Sequence, residues 1–523
     1  MDTKKEQERN ELHKTIWKIA NDLRGSVDGW DFKQYVLGLL FYRFISENIT
    51  NYINKKEYET GNKDFDFSEM SDDEAEVARE ALVEEKGFFI LPSQLFKNIR
   101  KNAKNDSDLN VTIQKVFQSI EDSAKGHKSE EDVKGLFDDF DVNSNKLGNN
   151  VNERNDRIVK LLNAIGDLPL GNYQDNTIDL FGDAYEFLMT MYASNAGKSG
   201  GEFFTPQEVG ELLAKIVIMD KKEVNKVYDP CCGSGGLLLK FAKIIGDKNV
   251  KQGYYGQELN ITTYNLARIN MFLHDINYNK FDIKLGDTLI APKHVNDEPF
   301  DAIVSNPPYS KPWDGKENPI LINDPRFAPA GILAPTSKGD LAFTMHMLSW
   351  LSPKGTAAIV EFPGVLYRGG AEQKIRKYLI ENNFVDTVIQ LPPDLFFGTG
   401  IATCILVLKK NKTDNSILFI DASNEFVRSD TKNKLTDKNI MNITDIIKDR
   451  TDKEYKSILI SNEEVLENDC NIAVNTYLKS KSNEEKIDIK ELNSRAIEIV
   501  KKENELRDSI NKIIQELEVM YDD

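Results

Sequence analysis

The spacing of hydrophobic positions changes twice along this chain. Up to about residue 165 it is helical, with few strand signals. The stretch "DFKQYVLGLLFYRFISENIT" places Val36, Leu39, Leu40, Tyr42 and Phe44 too densely for a surface helix and predicts a core helix. "SEMSDDEAEVAREALVEE" and "DSDLNVTIQKVFQSIEDSAKG" read as solvated helices of the same bundle, and "NYQDNTIDLFGDAYEFLMTMYASNAGKSGG" as a helix followed by a Gly-rich loop. From about Gly200, short apolar runs alternate with helical stretches, the mark of βαβ units and a parallel sheet. The runs are "KVYD", "GYYGQE", "FDIKLGD", "FDAIVSN", "GTAAIVEF", "VDTVIQLP" and "TCILVLKK", with "SILFIDAS" a further candidate. The last two of the seven enclose "PDLFFGTGIA", read as a loop at the sheet edge. Residues 425–485 support no assignment.

The tail changes period again. Leu492, Ala496, Ile499, Leu506, Ile510, Ile513, Leu517 and Met520 follow alternating steps of three and four, with Glu503 the polar slot. Such a heptad stripe predicts a long helix packed on another, either folded back on its own domain or docking a partner subunit. The expected organisation is therefore a helical domain over 1–165, an α/β domain over 166–480 and a helical tail over 481–523.

Bulk properties narrow the class. A chain of 523 residues can bury at least two cores. Its formal charge of -18 is unfavourable for gripping nucleic acid unaided. Cys231, Cys232, Cys404 and Cys470 show no C-x-x-C spacing, which argues against disulfides and a zinc site. The start "MDTKKEQERNELHK" lacks an apolar core, and no apolar run reaches the ~18 residues of a spanning helix. A cytoplasmic protein without a membrane segment or metal is expected.

The chemistry gathers at predicted strand ends. "KVYDPCCGSGGLLLKFA" is a strand, a tight turn from Asp229 to Gly236, and a helix starting near Leu237. Gly233, Gly235 and Gly236 permit positive φ and close approach of a ligand to the backbone. The spacing is not G-x-G-x-x-G and no Gly-Lys-Ser/Thr follows, so a P-loop is excluded and a nicotinamide dehydrogenase disfavoured. The next strand ends in Glu258, about 22 residues on, where a carboxylate can accept from both hydroxyls of a ribose. Asp287 closes a third strand, either accepting from an adenine amino group or capping a helix.

Asn306, Pro307, Pro308 and Tyr309 follow the strand "FDAIVS". The Asn306 carboxamide oxygen and the Pro307 carbonyl are two acceptors on a stiff turn, suited to one –NH2 group. Such a nitrogen is a poor nucleophile because its lone pair is delocalised. Holding both N–H bonds favours a pyramidal nitrogen aimed at an electrophile. Tyr309 offers a stacking face, and a base taken from a duplex would have to be flipped to reach it.

Asn306-Pro307-Pro308-Tyr309, "DPCCGSGG" and the upstream "GEFFTP" resemble the motifs of S-adenosylmethionine-dependent amino-methyltransferases, in the order of the N6-adenine DNA methyltransferases. Over nearly its full length the chain is similar to the modification (M) subunit of type I restriction-modification systems. The resemblance implies a Rossmann-like α/β methyltransferase sheet with an all-α N-terminal domain and a helical tail. It implies adenine-specific DNA methyltransferase activity with S-adenosylmethionine. It assigns Glu202, Phe203, Phe204, Thr205, Pro206 and Gln207 to the cofactor's methionine end, where "TPQE" also reads as a capping box of Thr205, Pro206 and Glu208. Asp229, Gly233, Ser234, Gly235 and Gly236 would surround the cofactor, with Glu258 on its ribose and Asp287 near its adenine. Asn306 to Tyr309 would bind the target base, with Phe396 or Phe397 either stacking on its other face or belonging to the core.

One departure matters. Solitary adenine methyltransferases of this motif order carry a DNA-reading domain after the catalytic one, and here no basic, aromatic-interleaved segment follows. The resemblance implies a separate specificity subunit that reads the DNA, two M subunits per specificity subunit, and a restriction subunit in the complex. Two alternatives remain: a protein-glutamine N5 methyltransferase, since a side-chain amide is likewise a planar –NH2, and a catalytically silent assembly subunit.

Overall fold

The computed structural model describes residues 12–16, 29–168, 170, 180–195, 205–219, 221–396, 399–429, 432–478 and 489–521. The chain divides into two compact units, Met1–Leu478 and Lys479–Asp523. In the first, the described residues from 29 to 219 form helices and turns without a strand. Helix α1 (Gly29–Glu59) is its centre: Val36, Leu39, Leu40, Tyr42 and Phe44 are all buried. Around it lie α2 (Glu130–Val133), α3 (Val151–Gly166) and α4 (Leu180–Asn195), with α5 (Gln207–Ile218) leading into the sheet.

Eight strands carry the α/β part in chain order: β1 (Val224–Asp229), β2 (Val250–Glu258), β3 (Phe281–Leu285), β4 (Phe300–Ser305), β5 (Leu351–Glu361), β6 (Val385–Gln390), β7 (Cys404–Lys409) and β8 (Ser416–Asp421). Each coincides with an apolar run picked out by the sequence. A small hairpin, β9 (Val427–Ser429) with β10 (Lys432–Lys434), and a last strand, β11 (Ser457–Ser461), come from the stretch the pattern left unread. The main sheet runs β11-β8-β6-β7-β5-β4-β1-β2-β3. It is parallel except at β7, antiparallel to both β5 and β6, and at β11, antiparallel to β8. The strands flanking the "PDLFFGTGIA" loop therefore stand inside the sheet, not at its margin, because β8 and β11 extend it beyond β6.

Both faces are covered, which is why these strands read as unbroken hydrophobic runs. Ala358 and Val360 of β5 enter one core, and Ala357 and Ile359 the other. Leu418 and Ile420 of β8 alternate with Ile417 and Phe419 in the same way. The first core takes in α6 (Gly236–Ile245), α7 (Ile261–Leu273) and the helical N-terminal region as one continuous cluster. The second takes in α8 (Asp340–Trp350) and α9 (Ala371–Glu381). Helix α10 (Asp437–Asp449) closes the first face. The resulting fold is a Rossmann-like α/β sheet with a helical N-terminal region.

Arg268, on α7 and only 1% exposed, ties the helical region to the sheet layer. One guanidinium nitrogen donates to the carbonyls of Glu131 and Lys134, each at 2.8 Å, and another to Asn265 Oδ1 at 2.6 Å. In the second unit, α11 (Ile489–Tyr521) is a single helix on which Ile499, Leu506, Ile510 and Ile513 are all more than half exposed.

Arg268→Met would leave the partly buried carbonyls of Glu131 and Lys134 without this donor. It is expected to lower stability by about 2–4 kcal/mol, read as a fall in the unfolding midpoint of the whole chain. An unchanged midpoint would show that this tie contributes nothing.

Candidate active site

Strand β1 lies between β2 and β4, and the strand order reverses there: α6, after β1, packs on one face and α8, after β4, on the other. Ligands of open α/β sheets bind at such a switch point, beyond the carboxyl ends of the strands. Asp229 closes β1 and Ser305 closes β4, with Asn306 next along the chain.

The turn after β1 is held from three sides. Asp229 Oδ1 accepts from the Cys231 amide at 3.0 Å and from Ser305 Oγ at 2.9 Å, joining this turn to the end of β4. The Cys232 amide donates to the Gln257 carbonyl at 3.0 Å, and the Gly233 amide to Glu258 Oε2 at 3.0 Å. Asn270 of α7 donates to the Ser234 carbonyl at 2.8 Å. Gly233 and Gly235 have φ of 54° and 78°, and a Cβ on Gly235 would sit 3.1 Å from Met271 Cε, so the turn needs glycine there. Gly236 is the first residue of α6 and carries no positive φ.

The second oxygen of Asp229 is buried with no hydrogen-bond partner. Burial pushes this carboxyl up to about 7, while the Cys231 amide and Ser305 hydroxyl pull it down and Glu258 adds to the rise. Glu258 is also raised, first by burial, against the Asn260 and Gly233 amides. Burial raises the Cys231 and Cys232 thiols well above their usual range, so neither is a thiolate at neutral pH.

Asn306 is oriented through both ends of its carboxamide. Nδ2 donates to Thr205 Oγ1 at 3.0 Å, and Oδ1 accepts from the Tyr309 hydroxyl at 2.6 Å. Burial keeps the Tyr309 phenol neutral, as do the nearby Glu361, Cys404 and Asp340. The turn beyond the motif is pinned at Ser310, whose φ is 50° and whose amide donates to Asp340 Oδ1 at 2.8 Å.

Two adjoining cavities flank this point. The larger, about 310 Å³, is lined by Glu258, Asp287, Pro308 and Trp313 among others. The narrower, about 40 Å³, is lined by Thr205, Gln207, Asp229, Ser234, Glu186 and Lys240 among others. Cys231, Gly233 and Asn306 line both and form the partition between them. Pro206 and Gly236 also face the narrower cavity. Asp287 lines the larger one while its Oδ1 accepts from the Leu289 amide at 2.9 Å and so caps the following turn. The structure thus brings Thr205, Pro206, Gln207, Asp229, Gly233, Ser234, Gly236, Glu258, Asp287 and Asn306 to two adjoining cavities. Glu202, Phe203 and Phe204 lie outside the described residues, as does Phe397.

One expectation needs correction, and one open alternative is decided. Thr205 is not an N-cap: α5 begins at Gln207 and Pro206, which has no side-chain acceptor, takes the cap position. The Thr205 hydroxyl is engaged by Asn306 instead. Phe396 is 2% exposed and belongs to the core, so it offers no stacking face. Among the described residues the aromatic beside Tyr309 is Phe362, just beyond β5, with ring centroids 6.0 Å apart. Its only sequence signal was its place at a strand's carboxyl end. Glu186, Lys240 and Trp313, which line the cavities, carry no motif.

Comparison with known proteins places these features in context. Residues 176–486 match the N-6 DNA Methylase family and residues 12–165 the HsdM N-terminal domain family. The chain is 49% identical to the type I restriction enzyme MpnII methylase subunit of Mycoplasma pneumoniae, across 100% of this chain and 99% of that one. Its structure is similar to that of the type I restriction-modification methyltransferase subunit from Streptococcus thermophilus, with TM-score 0.81 and 33% identity over 90% of this chain and 99% of that one. A chain from a type I restriction-modification complex shares the fold at TM-score 0.62 and 17% identity, over 97% of this chain and 99% of that one.

The unpartnered Asp229 oxygen suits a cationic ligand, and the sign of its pH dependence follows. The carboxyl is protonated below about 7 and anionic above it. Affinity for S-adenosylmethionine, measured calorimetrically, is expected to climb up to about tenfold per pH unit from about pH 5 to 7 and then level off. Asp229→Asn should flatten that curve; a wild-type curve already flat would contradict the placement.

Proposed function

This chain belongs to the N-6 DNA methylase family, and on that premise we propose that Asn306, Pro307, Pro308 and Tyr309 carry methyl transfer to N6 of adenine at a flipped base in double-stranded DNA. It is the methylation subunit of a type I restriction-modification system, an adenine-specific DNA methyltransferase that uses S-adenosylmethionine. The observation that carries the assignment of residues is the position of Asn306 on the partition between the two cavities. The larger suits an adenosine, with Glu258 toward the ribose and Asp287 toward the adenine. The narrower suits the methionine end, with Asp229 opposite its positive charge. A group on the partition acts where the two ends of such a cofactor meet.

The cofactor supplies a methyl group already activated on a sulfonium. The chain's residues orient the acceptor. Tyr309 and Thr205 fix the Asn306 carboxamide, leaving its oxygen a second lone pair for an amino hydrogen. The Pro307 carbonyl takes the other, and the nitrogen lone pair is aimed along the remaining direction. Tyr309 and Phe362 supply aromatic faces for the base. No covalent enzyme intermediate is needed, and the protonated Cys231 and Cys232 offer no nucleophile.

The protein works in a complex with other subunits of its system. We assign sequence reading to a separate specificity subunit, with two copies of this chain for each, and include a restriction subunit. The exposed apolar stripe of α11 is the docking surface for the specificity subunit. Among the described residues no helix is long and apolar enough to cross a membrane; a cytoplasmic location suits a DNA substrate. Protein-glutamine methylation and a silent scaffold are not favoured, given a methylase subunit 49% identical over the full chain.

Tritiated-methyl transfer to genomic DNA should give N6-methyladenine only when the specificity subunit is added. Asn306→Ala in that complex should lower turnover by at least about 100-fold while S-adenosylmethionine still binds. Joint loss of both would contradict the role assigned to Asn306. Removing residues from 485 onward should leave cofactor binding intact and release the specificity subunit on gel filtration. A complex that stays whole would sink the docking role of α11.

A further inference from the structure

The narrower cavity contains charges that no motif explains. Among its described lining residues Lys240 is the sole cation, and Asp229 and Glu186 are the two acids. Lys240 lies on α6, one turn beyond Gly236, and its ammonium donates to Gln207 Oε1, on the first residue of α5. The Glu208 carboxylate, in the first turn of α5, accepts from its own amide there. Burial alone would raise Glu186, but Lys243 at 3.0 Å, Lys240 and His274 outweigh it and hold the carboxylate at about 2. Glu186 is thus anionic at any physiological pH.

The pattern mirrors one kind of ligand. The methionine end of S-adenosylmethionine has two positive centres, the sulfonium and the α-ammonium, and one negative, the α-carboxylate. The cavity wall offers two acids and one base. Resting on the cofactor reading above, we infer that Lys240 binds the α-carboxylate of the cofactor's methionine moiety, with Gln207 positioning the lysine and Glu186 on the side of the cofactor's own ammonium. This gives the cofactor a third anchor, on a helix of the sheet layer and braced by α4 of the helical region. It also makes the methionine end a determinant of selectivity against adenosyl compounds lacking a carboxylate.

The test is calorimetric titration of the full chain with S-adenosylmethionine, decarboxylated S-adenosylmethionine and 5′-methylthioadenosine. Lys240→Met should weaken the first by roughly 10- to 100-fold, the range for a hydrogen bond between charged groups. The two ligands without a carboxylate should bind wild type and variant within about twofold of each other. Lys240→Arg, which keeps the charge, should recover part of the loss for S-adenosylmethionine alone. Equal weakening of all three ligands would mean a collapsed cavity and would overturn the assignment, as would no weakening at all. If wild type bound none of the three, the cofactor reading itself would fall and this inference with it. A loss of discrimination confined to Lys240→Met leaves that reading standing.

Discussion

Everything at this site hangs on one buried carboxyl. Asp229 closes β1, and its Oδ1 accepts both from its own Gly-rich turn and from Ser305 at the end of β4. Two segments 76 residues apart in sequence are thereby fixed to one atom, and Asn306 is the next residue along. The other oxygen is left buried and unpaired, which is costly unless a ligand meets it. The carboxyl holds Asn306 in register with the Gly-rich turn and leaves one acceptor open beside the narrower cavity. Its rise to about 7 comes first from burial, which the Cys231 amide and the Ser305 hydroxyl only partly offset.

The second constraint is the orientation of a carboxamide. An amide that can rotate offers a donor where an acceptor is needed. Here Thr205 and Tyr309 each take one end, from opposite sides in the sequence. Thr205 leads α5 out of the segment carrying "GEFFTP", so the residue that orients Asn306 belongs to the same stretch assigned to the cofactor. Beyond the motif, Asp340 holds the left-handed Ser310, so the turn is braced at its exit as well.

The helical N-terminal region is not an appendage. Its core runs without a break into the face of the sheet that bears α6 and α7, and the buried Arg268 stitches the two with hydrogen bonds to the Glu131 and Lys134 carbonyls. That face also supplies Glu186 and Lys240 to the cavity. An acidic chain with a formal charge of -18 gains little from DNA by itself, which fits a subunit that performs chemistry on a base presented by others.

Much of this was legible in the sequence, for physical reasons. Strands buried on both faces must be apolar throughout, so eight of them stood out as runs bounded by turn residues. The Gly turn, Glu258 and Asn306 to Tyr309 were legible because backbone conformation and strand-end position are local properties. What the tertiary structure alone decided were contacts between distant segments. Thr205 was read as a helix cap because its neighbours allow one; the hydroxyl went to Asn306 because the sheet brings that amide within 3.0 Å. Phe396 and Phe362 are both aromatics near strand ends, and only packing sends one into the core and leaves the other beside Tyr309. The antiparallel setting of β7 and the addition of β11 are strand-order choices, which side-chain period does not encode. Lys240 was invisible for the same reason: a lysine on an amphipathic helix looks solvated until the fold turns it toward a cavity.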